Sequence, residues 1–154
     1  WLVFFFLKPY SFINMQNPCL FCRIVSGEIP AQKVLETDDT IAFLDIHPVH
    51  PGHVLVIPKA HHATLLDVPM EALASCMSTV QRVAKALIHV TNADGFNLKQ
   101  NNGEAAGQAI HHLHFHLIPR FVNDGLKAWS GQALDKSEGE NLVRRFREVL
   151  EGEI

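Results

Sequence analysis

The segment His112-Leu113-His114-Phe115-His116-Leu117 constrains this chain more than any other, because it alternates polar and apolar residues with a period of two. Successive side chains of an extended strand point to opposite faces. The pattern predicts a strand with His112, His114 and His116 on one face and Leu113, Phe115 and Leu117 on the other. The apolar face can pack on a helix. The imidazole face then lines a site, since three buried imidazoles need polar partners and are costly to gather without a use. The chain has ten histidines, and four of them (His111, His112, His114, His116) fall within six residues. Their alternation with Leu and Phe in mid-chain separates them from a purification tag or a loose metal-binding tract.

Three kinds of chemistry suit such a face. It could hold a catalytic metal, a nucleophilic histidine tuned by its neighbours, or a general acid–base pair. The preceding stretch, Asn101-Asn102-Gly103-Glu104-Ala105-Ala106-Gly107-Gln108, offers backbone N–H groups and side-chain amides to an anion. A glycine-containing loop running into a histidine strand favours phosphate chemistry.

The remaining pattern predicts one α+β domain. A short helix spans Pro18 to Val25, and strands are expected at Lys33–Glu36, Ile41–Ile46, His53–Ile57 and Phe96–Gln100. A long helix runs from about Pro69 to His89, capped by Asp67 or a neighbour, with Leu73, Met77, Val80, Ala84, Leu87 and Ile88 as its core stripe. Cys76 lies on the same helix and reads as core. A C-terminal helix begins near Ser137, where Ser137 and Glu140 form a capping box and Leu142, Phe146, Val149 and Leu150 a buried stripe. Adjacent strands with short connections and one inserted helix imply an antiparallel sheet.

A net charge of -3, with no long run of one sign, argues against a nucleic-acid polymer as partner. Three cysteines make no secreted disulfide framework and suit a reducing, cytoplasmic setting. Trp1 to Leu7 is apolar but far shorter than the ~20 residues that cross a bilayer, so no membrane partner is expected. Met15 opens Met-Gln-Asn-Pro-Cys, which reads as a start. Residues 1–14 are therefore expected to be an upstream extension, and 15–154 the single domain.

His112-Leu113-His114-Phe115-His116-Leu117-Ile118, with Gly107-Gln108 before it, Ala42-Phe43-Leu44-Asp45-Ile46, and Pro51-Gly52-His53-Val54-Leu55-Val56-Ile57-Pro58-Lys59, resembles the histidine triad (HIT) family. The resemblance runs in order from about Cys19 to Arg120. It implies an antiparallel α+β fold, with one long and one C-terminal helix, whose sheet extends across a homodimer. It implies that His114 attacks the α-phosphorus of a nucleoside phosphate derivative with a purine base, an adenosine phosphoramidate or a dinucleoside polyphosphate. A nucleotidyl-histidine would form, and water would release the nucleoside monophosphate. His112 and His116, with His53, would surround the phosphoryl oxygens and leaving group, where some of them can be charged and stabilise the transition state. Asp45 would bind the ribose hydroxyls and Ile46 the base, with Asn101, Gly107 and Gln108 along the phosphate. Ala109 departs from the hydroxyl residue typical of the phosphoramidase branch.

Cys19-Leu20-Phe21-Cys22 alone fits a redox pair, a metal half-site or coincidence. The sequence also resembles bacterial HIT proteins that carry structural zinc on two such cysteines, the histidine after Pro-Lys-x and the first triad histidine. Here these are Cys19, Cys22, His61 and His112, with His62 a rival to His61. Two other functions compete with the hydrolase: a nucleotide-binding or scaffold protein on the same fold, and a zinc hydrolase chelating its metal through all three triad histidines. The intact middle histidine argues for the hydrolase and against the scaffold, and the resemblance implies that the triad histidines hold phosphate instead of a metal.

Overall fold

A computed structural model of the chain describes residues 19–126 and Ser137. The expected extension at 1–14 lies outside the described residues, as does the C-terminal helix stripe Leu142, Phe146, Val149 and Leu150.

The elements in order are α1 (Leu20–Val25), β1 (Lys33–Glu36), β2 (Thr40–Leu44), β3 (Val54–Pro58), α2 (Met70–Thr91), β4 (Gly95–Lys99), a 3-10 turn at Glu104–Ala106, and β5 (Phe115–Arg120). The five strands form one antiparallel sheet in the order β1-β2-β3-β5-β4. No helix among the described residues is long and apolar enough to cross a membrane.

Strand alternation gives the sheet two apolar faces. Ala42, Val54, Val56, Leu113, Phe115 and Leu117 pack on one side against Cys76, Val80, Val83, Ala84 and Leu87 of α2. Ile41, Phe43, Leu55 and Ile57 pack on the other side against Phe21 and Ile24 of α1. The α2 stripe is centred a little differently from the expectation. Cys76, Val80, Val83, Ala84 and Leu87 are buried, while Leu73, Met77 and Ile88 sit at its margin.

Pro69 is the N-cap of α2 and makes no side-chain cap bond. The expected cap, Asp67, instead accepts bonds from the backbone N–H groups of Ala63 and Thr64, at 2.8 and 2.6 Å. Its carboxylate closes the preceding turn and is unavailable to the helix. Asn92 ends α2 in the left-handed region at φ 52°. Gly52, at φ +94°, lets the β2–β3 turn lie against this end. A Cβ there would sit 2.5 Å from the methyl carbon of Thr91.

The histidine strand is shorter than the alternation suggests. β5 starts at Phe115, so His112 and His114 precede the ladder. Past the Val56–Phe115 pair, side chains and loops take over the bonding. His112 Nε2 donates to the Pro58 carbonyl at 2.9 Å, and Leu113 N donates to the His62 carbonyl at 2.6 Å. The alternation of faces persists through this irregular stretch, because Leu113, Phe115 and Leu117 all enter the α2 core.

Candidate active site and metal cluster

The sheet face beneath α1 opens into a cavity of about 490 Å³, within the usual range for a small-molecule site. Phe21, Ile24, Phe43 and Ile46 form an apolar wall. Asp45, His53, His114 and His116 supply polar groups, and Asn101, Gly107 and Ala109 form a third side.

His114 is buried, and its Nδ1 donates to the carbonyl of His112 at 2.6 Å. That bond fixes the tautomer and leaves Nε2 unprotonated as the free ring nitrogen. Phe21 meets the imidazole edge to face, with centroids 5.3 Å apart. Burial, foremost, holds the His114 pKa below its ordinary value, against the opposing pull of the His112 carbonyl and Asp45. The ring is therefore neutral at pH 7, as a nucleophile must be.

His116 and His53 form a second unit. Val49 N–H donates to His53 Nδ1 at 3.3 Å, which leaves His53 Nε2–H to donate to His116 Nδ1 at 2.9 Å. In that arrangement His116 carries its own proton on Nε2. Asp45 stands 3.6 Å from His53 Nδ1 and would pair with it if the ring gained a proton. Burial is the main cause that pushes His116 down to about 4, with repulsion from His114 and His53 adding to it. Burial likewise lowers His53, partly offset by Asp45. In the free protein desolvation therefore favours the neutral form of both rings.

His112 goes elsewhere. The cavity walls include His53, His114 and His116 but not His112. Its Nε2–H is spent on the Pro58 carbonyl, and its Nδ1 points at Cys19 Sγ (3.4 Å), Cys22 Sγ (3.6 Å) and His61 Nδ1 (3.3 Å). His61 Nδ1 and Cys22 Sγ are 3.3 Å apart. A tetrahedral zinc with ordinary bond lengths would set its ligand atoms about 3.3–3.8 Å from one another. These four separations match a closed S/N site, all four ligand atoms lie within 4.8 Å of one another, and the residues fit such a metal. The donor set favours His61 over His62. Cys19 is the N-cap of α1, its Sγ accepting from Cys22 N, so the helix turn itself brings the two thiols together.

The competing three-histidine chelate is not assembled among the described residues. His112 belongs to the cysteine cluster, His116 groups with Asp45 and His53, and His114 is in neither. Gln108 also departs from expectation. Its Oε1 accepts from Gly103 N at 2.7 Å, and its Nε2 donates to the Ala63 and Ile110 carbonyls at 2.6 and 3.0 Å. It is buried and braces the loop rather than facing the cavity. Asn101 bonds the Gly107 carbonyl at 3.2 Å, and both residues line the cavity. Asp45 and Ile46 line it too, although Asp45 also accepts from His47 N as a turn residue. Sequence reasoning missed Lys99 and Phe21. Lys99 reads as an ordinary strand-end lysine, and only the pairing of β4 with β5 brings it to the cavity.

The profile of the HIT domain matches residues 26–123. The chain is 43% identical over 143 residues to an adenylylsulfatase of Arabidopsis thaliana, across 89% of this chain and 72% of that protein. It is 43% identical over 141 residues to an adenosine 5'-monophosphoramidase of Saccharomyces cerevisiae, across 90% of this chain and 87% of that protein. The solved structure of a Zn-bound histidine triad family protein from Mycobacterium smegmatis superposes with a TM-score of 0.69 at 38% identity, over 89% of this chain and 98% of that one.

Proposed function

The chain belongs to the HIT family, and from that premise we propose that it is a nucleotidyl hydrolase in which His114 attacks the α-phosphorus of a nucleoside 5'-phosphate derivative. The observation that carries this reading is the lock on His114. With Nδ1–H held by a backbone carbonyl, the neutral ring presents Nε2 as its lone pair to a nucleotide-sized cavity. Attack forms the Nε2–phosphorus bond and expels the leaving group with its electron pair. The resulting imidazolium keeps its Nδ1–H bond to the His112 carbonyl. Water then displaces the histidine and releases the nucleoside monophosphate.

Asp45 accepts from the ribose hydroxyls, and Ile46, Phe43 and Phe21 enclose the purine. Asn101 and Gly107 border the phosphate. His116 Nε2–H donates a hydrogen bond to a phosphoryl oxygen or the leaving atom. An amine leaving group needs a whole proton. The His116–His53 pair can supply one only after taking up an extra proton, which Asp45 beside His53 stabilises. A scaffold protein would need none of this arrangement. The test is single-turnover mixing with adenosine 5'-phosphoramidate or a diadenosine polyphosphate, followed by quenching and peptide mapping. Nucleotide bound through an acid-labile link to His114 supports the mechanism; turnover with no labelled histidine overturns it.

The Cys19, Cys22, His61 and His112 cluster holds structural zinc in this reading, a proposal supported by the ligand spacing and by the Zn-bound relative. A closed site of that kind stabilises the fold and supplies no bond-making step. Thiolates kept for metal suit a reducing, cytoplasmic compartment. The protein also acts as a homodimer through β4. This strand forms one edge of the sheet and leaves Phe96 and Leu98 partly exposed beside Met77 and Ile88 of α2. An unprotected apolar edge is a liability that pairing with a second copy removes. Light scattering that finds only a 17.2 kDa species at micromolar concentration rejects the dimer.

A further inference from the structure

Resting on the hydrolase reading above, we propose that Lys99 is a specificity-determining residue that selects nucleotides whose leaving group is an anion, such as sulfate, carboxylate or a further phosphate.

Placement is the first support. Lys99 is the cross-strand partner of His116 on β5, and His116 is in turn the partner of Leu55 on β3. Alternation sends Phe96 and Leu98 to the α2 side, where they line a groove with that helix, and Lys99 to the cavity side. Asp45 follows β2, so it and Lys99 flank the cavity from opposite sides, with β3 and β5 between them. Three strand spacings separate β2 from β4, about 14 Å. A nucleoside held by Asp45 and Ile46, with its phosphorus at His114, therefore directs its leaving group past His116 toward Lys99.

Charge is the second support. Lys99 is the one lysine or arginine among the described residues lining the cavity. Lys33 and Lys59 are both engaged by Glu36, whereas none of the described carboxylates pairs with Lys99. Ala109, on the same cavity wall, offers no side-chain hydrogen bond. Lys99 therefore supplies the charge that an anionic departing group meets there.

The two kinds of leaving group make different demands. When the phosphorus–oxygen bond to sulfate breaks, the electron pair leaves on an oxyanion that needs no proton, and a nearby cation stabilises the developing charge. When a phosphorus–nitrogen bond breaks, the amine must be protonated, which is the work of the His116–His53 pair. Lys99 serves the first demand and not the second.

The experiment measures the ratio of kcat/KM for adenylyl sulfate to that for adenosine 5'-phosphoramidate, a quantity independent of how much protein is folded. Lys99→Met should lower the ratio roughly tenfold, a modest effect for a charge at an exposed position, and Lys99→Arg should restore it within about twofold. An unchanged ratio in Lys99→Met overturns the proposal. If the wild-type protein hydrolyses neither compound, the hydrolase reading fails, and Lys99 is judged by binding alone. Lys99→Met must then weaken ADP roughly tenfold more than AMP; equal weakening of the two rejects the role of Lys99.

Discussion

His112 and His114 stand two residues apart, both buried, and yet serve different regions of the molecule. At the cluster end, His112 gives its Nε2–H to the Pro58 carbonyl and turns Nδ1 toward two cysteines and His61. At the cavity end, His114 gives its Nδ1–H to the carbonyl of His112 itself and keeps Nε2 free. The same side chain has opposite tautomers because different backbone carbonyls lie within reach. Which nitrogen stays unprotonated, and so what the ring can do, is decided by the acceptor behind it and not by the residue type. The comparison also links the regions. His112 contributes its side chain to one and its backbone to the other, and Phe21 on α1 touches both rings.

If the division holds, substitutions at the two ends should fail differently. The largest effect is expected at the cavity. His114→Ala should lower kcat by roughly 10⁴-fold or more, because a lost nucleophile has no substitute. Nucleotide binding should persist, since Asp45, Ile46 and Asn101 make their contacts without the imidazole, and the metal content should not change. Steady-state assays, calorimetric titration with AMP and metal analysis on one preparation decide this. A variant that turns over at near wild-type rate would return the triad to general-base or metal chemistry.

The second effect belongs to the cluster. Cys22→Ser removes one of four ligands and should abolish stoichiometric metal binding. A metal held by the four would tie α1 to the segments around His61 and His112, which are far apart in sequence. Its loss should cost about 2–3 kcal/mol, or roughly 5–10 °C in Tm for a domain of this size. Turnover per folded molecule should fall much less than in His114→Ala, since the His112 carbonyl that orients the nucleophile remains. Differential scanning calorimetry with and without a chelator reads the stability. A wild-type protein whose Tm ignores the chelator would remove the metal from the cluster.

Much of this arrangement was legible in the chain. Period-two alternation placed Leu113, Phe115 and Leu117 in the core and turned the histidines to the opposite side, and Lys33–Glu36 formed a strand as expected. The Cys-x-x-Cys spacing brought both thiols to the helix start. The failures share a cause. Alternation gives the side of the sheet but not what waits there, so it set His112 beside His114 when their partners lie in different regions. Gln108 carried the right chemistry for a phosphate contact, but the loop uses all of it internally. Asp67 had the right spacing to cap α2 and was claimed by a tighter turn. Lys99 carried no local signal, because only the β4–β5 register puts it opposite His116. Each miss is a competition among nearby polar groups that only tertiary positions decide.

The smallest effect concerns acid stability, where the two ends again differ. His116 has a folded pKa of about 4, set mainly by burial, and His53 is lowered too; an unfolded chain has histidines near 6.5. As pH falls through about 6.5, the unfolded state takes up protons that the buried His116 refuses. The stability held above that pH is therefore lost progressively down to about 4 and levels off below it. Asp67, pushed down to about 2 by bonds from Thr64 and Ala63, loses its contribution only at lower pH, so the two windows separate. With zinc at the cluster, acid would act instead by displacing the metal from thiolate and imidazole, a loss shared by any variant that keeps the four ligands. His116→Gln keeps them and removes one titration. Between pH 7 and 4.5 its Tm should fall roughly 2–4 °C less than that of the wild type, while above pH 7 the gap between the two should stay constant. Parallel curves across the whole range would mean that His116 takes up its proton alike in the folded and unfolded states, and that burial does not keep the cavity neutral as the pH falls.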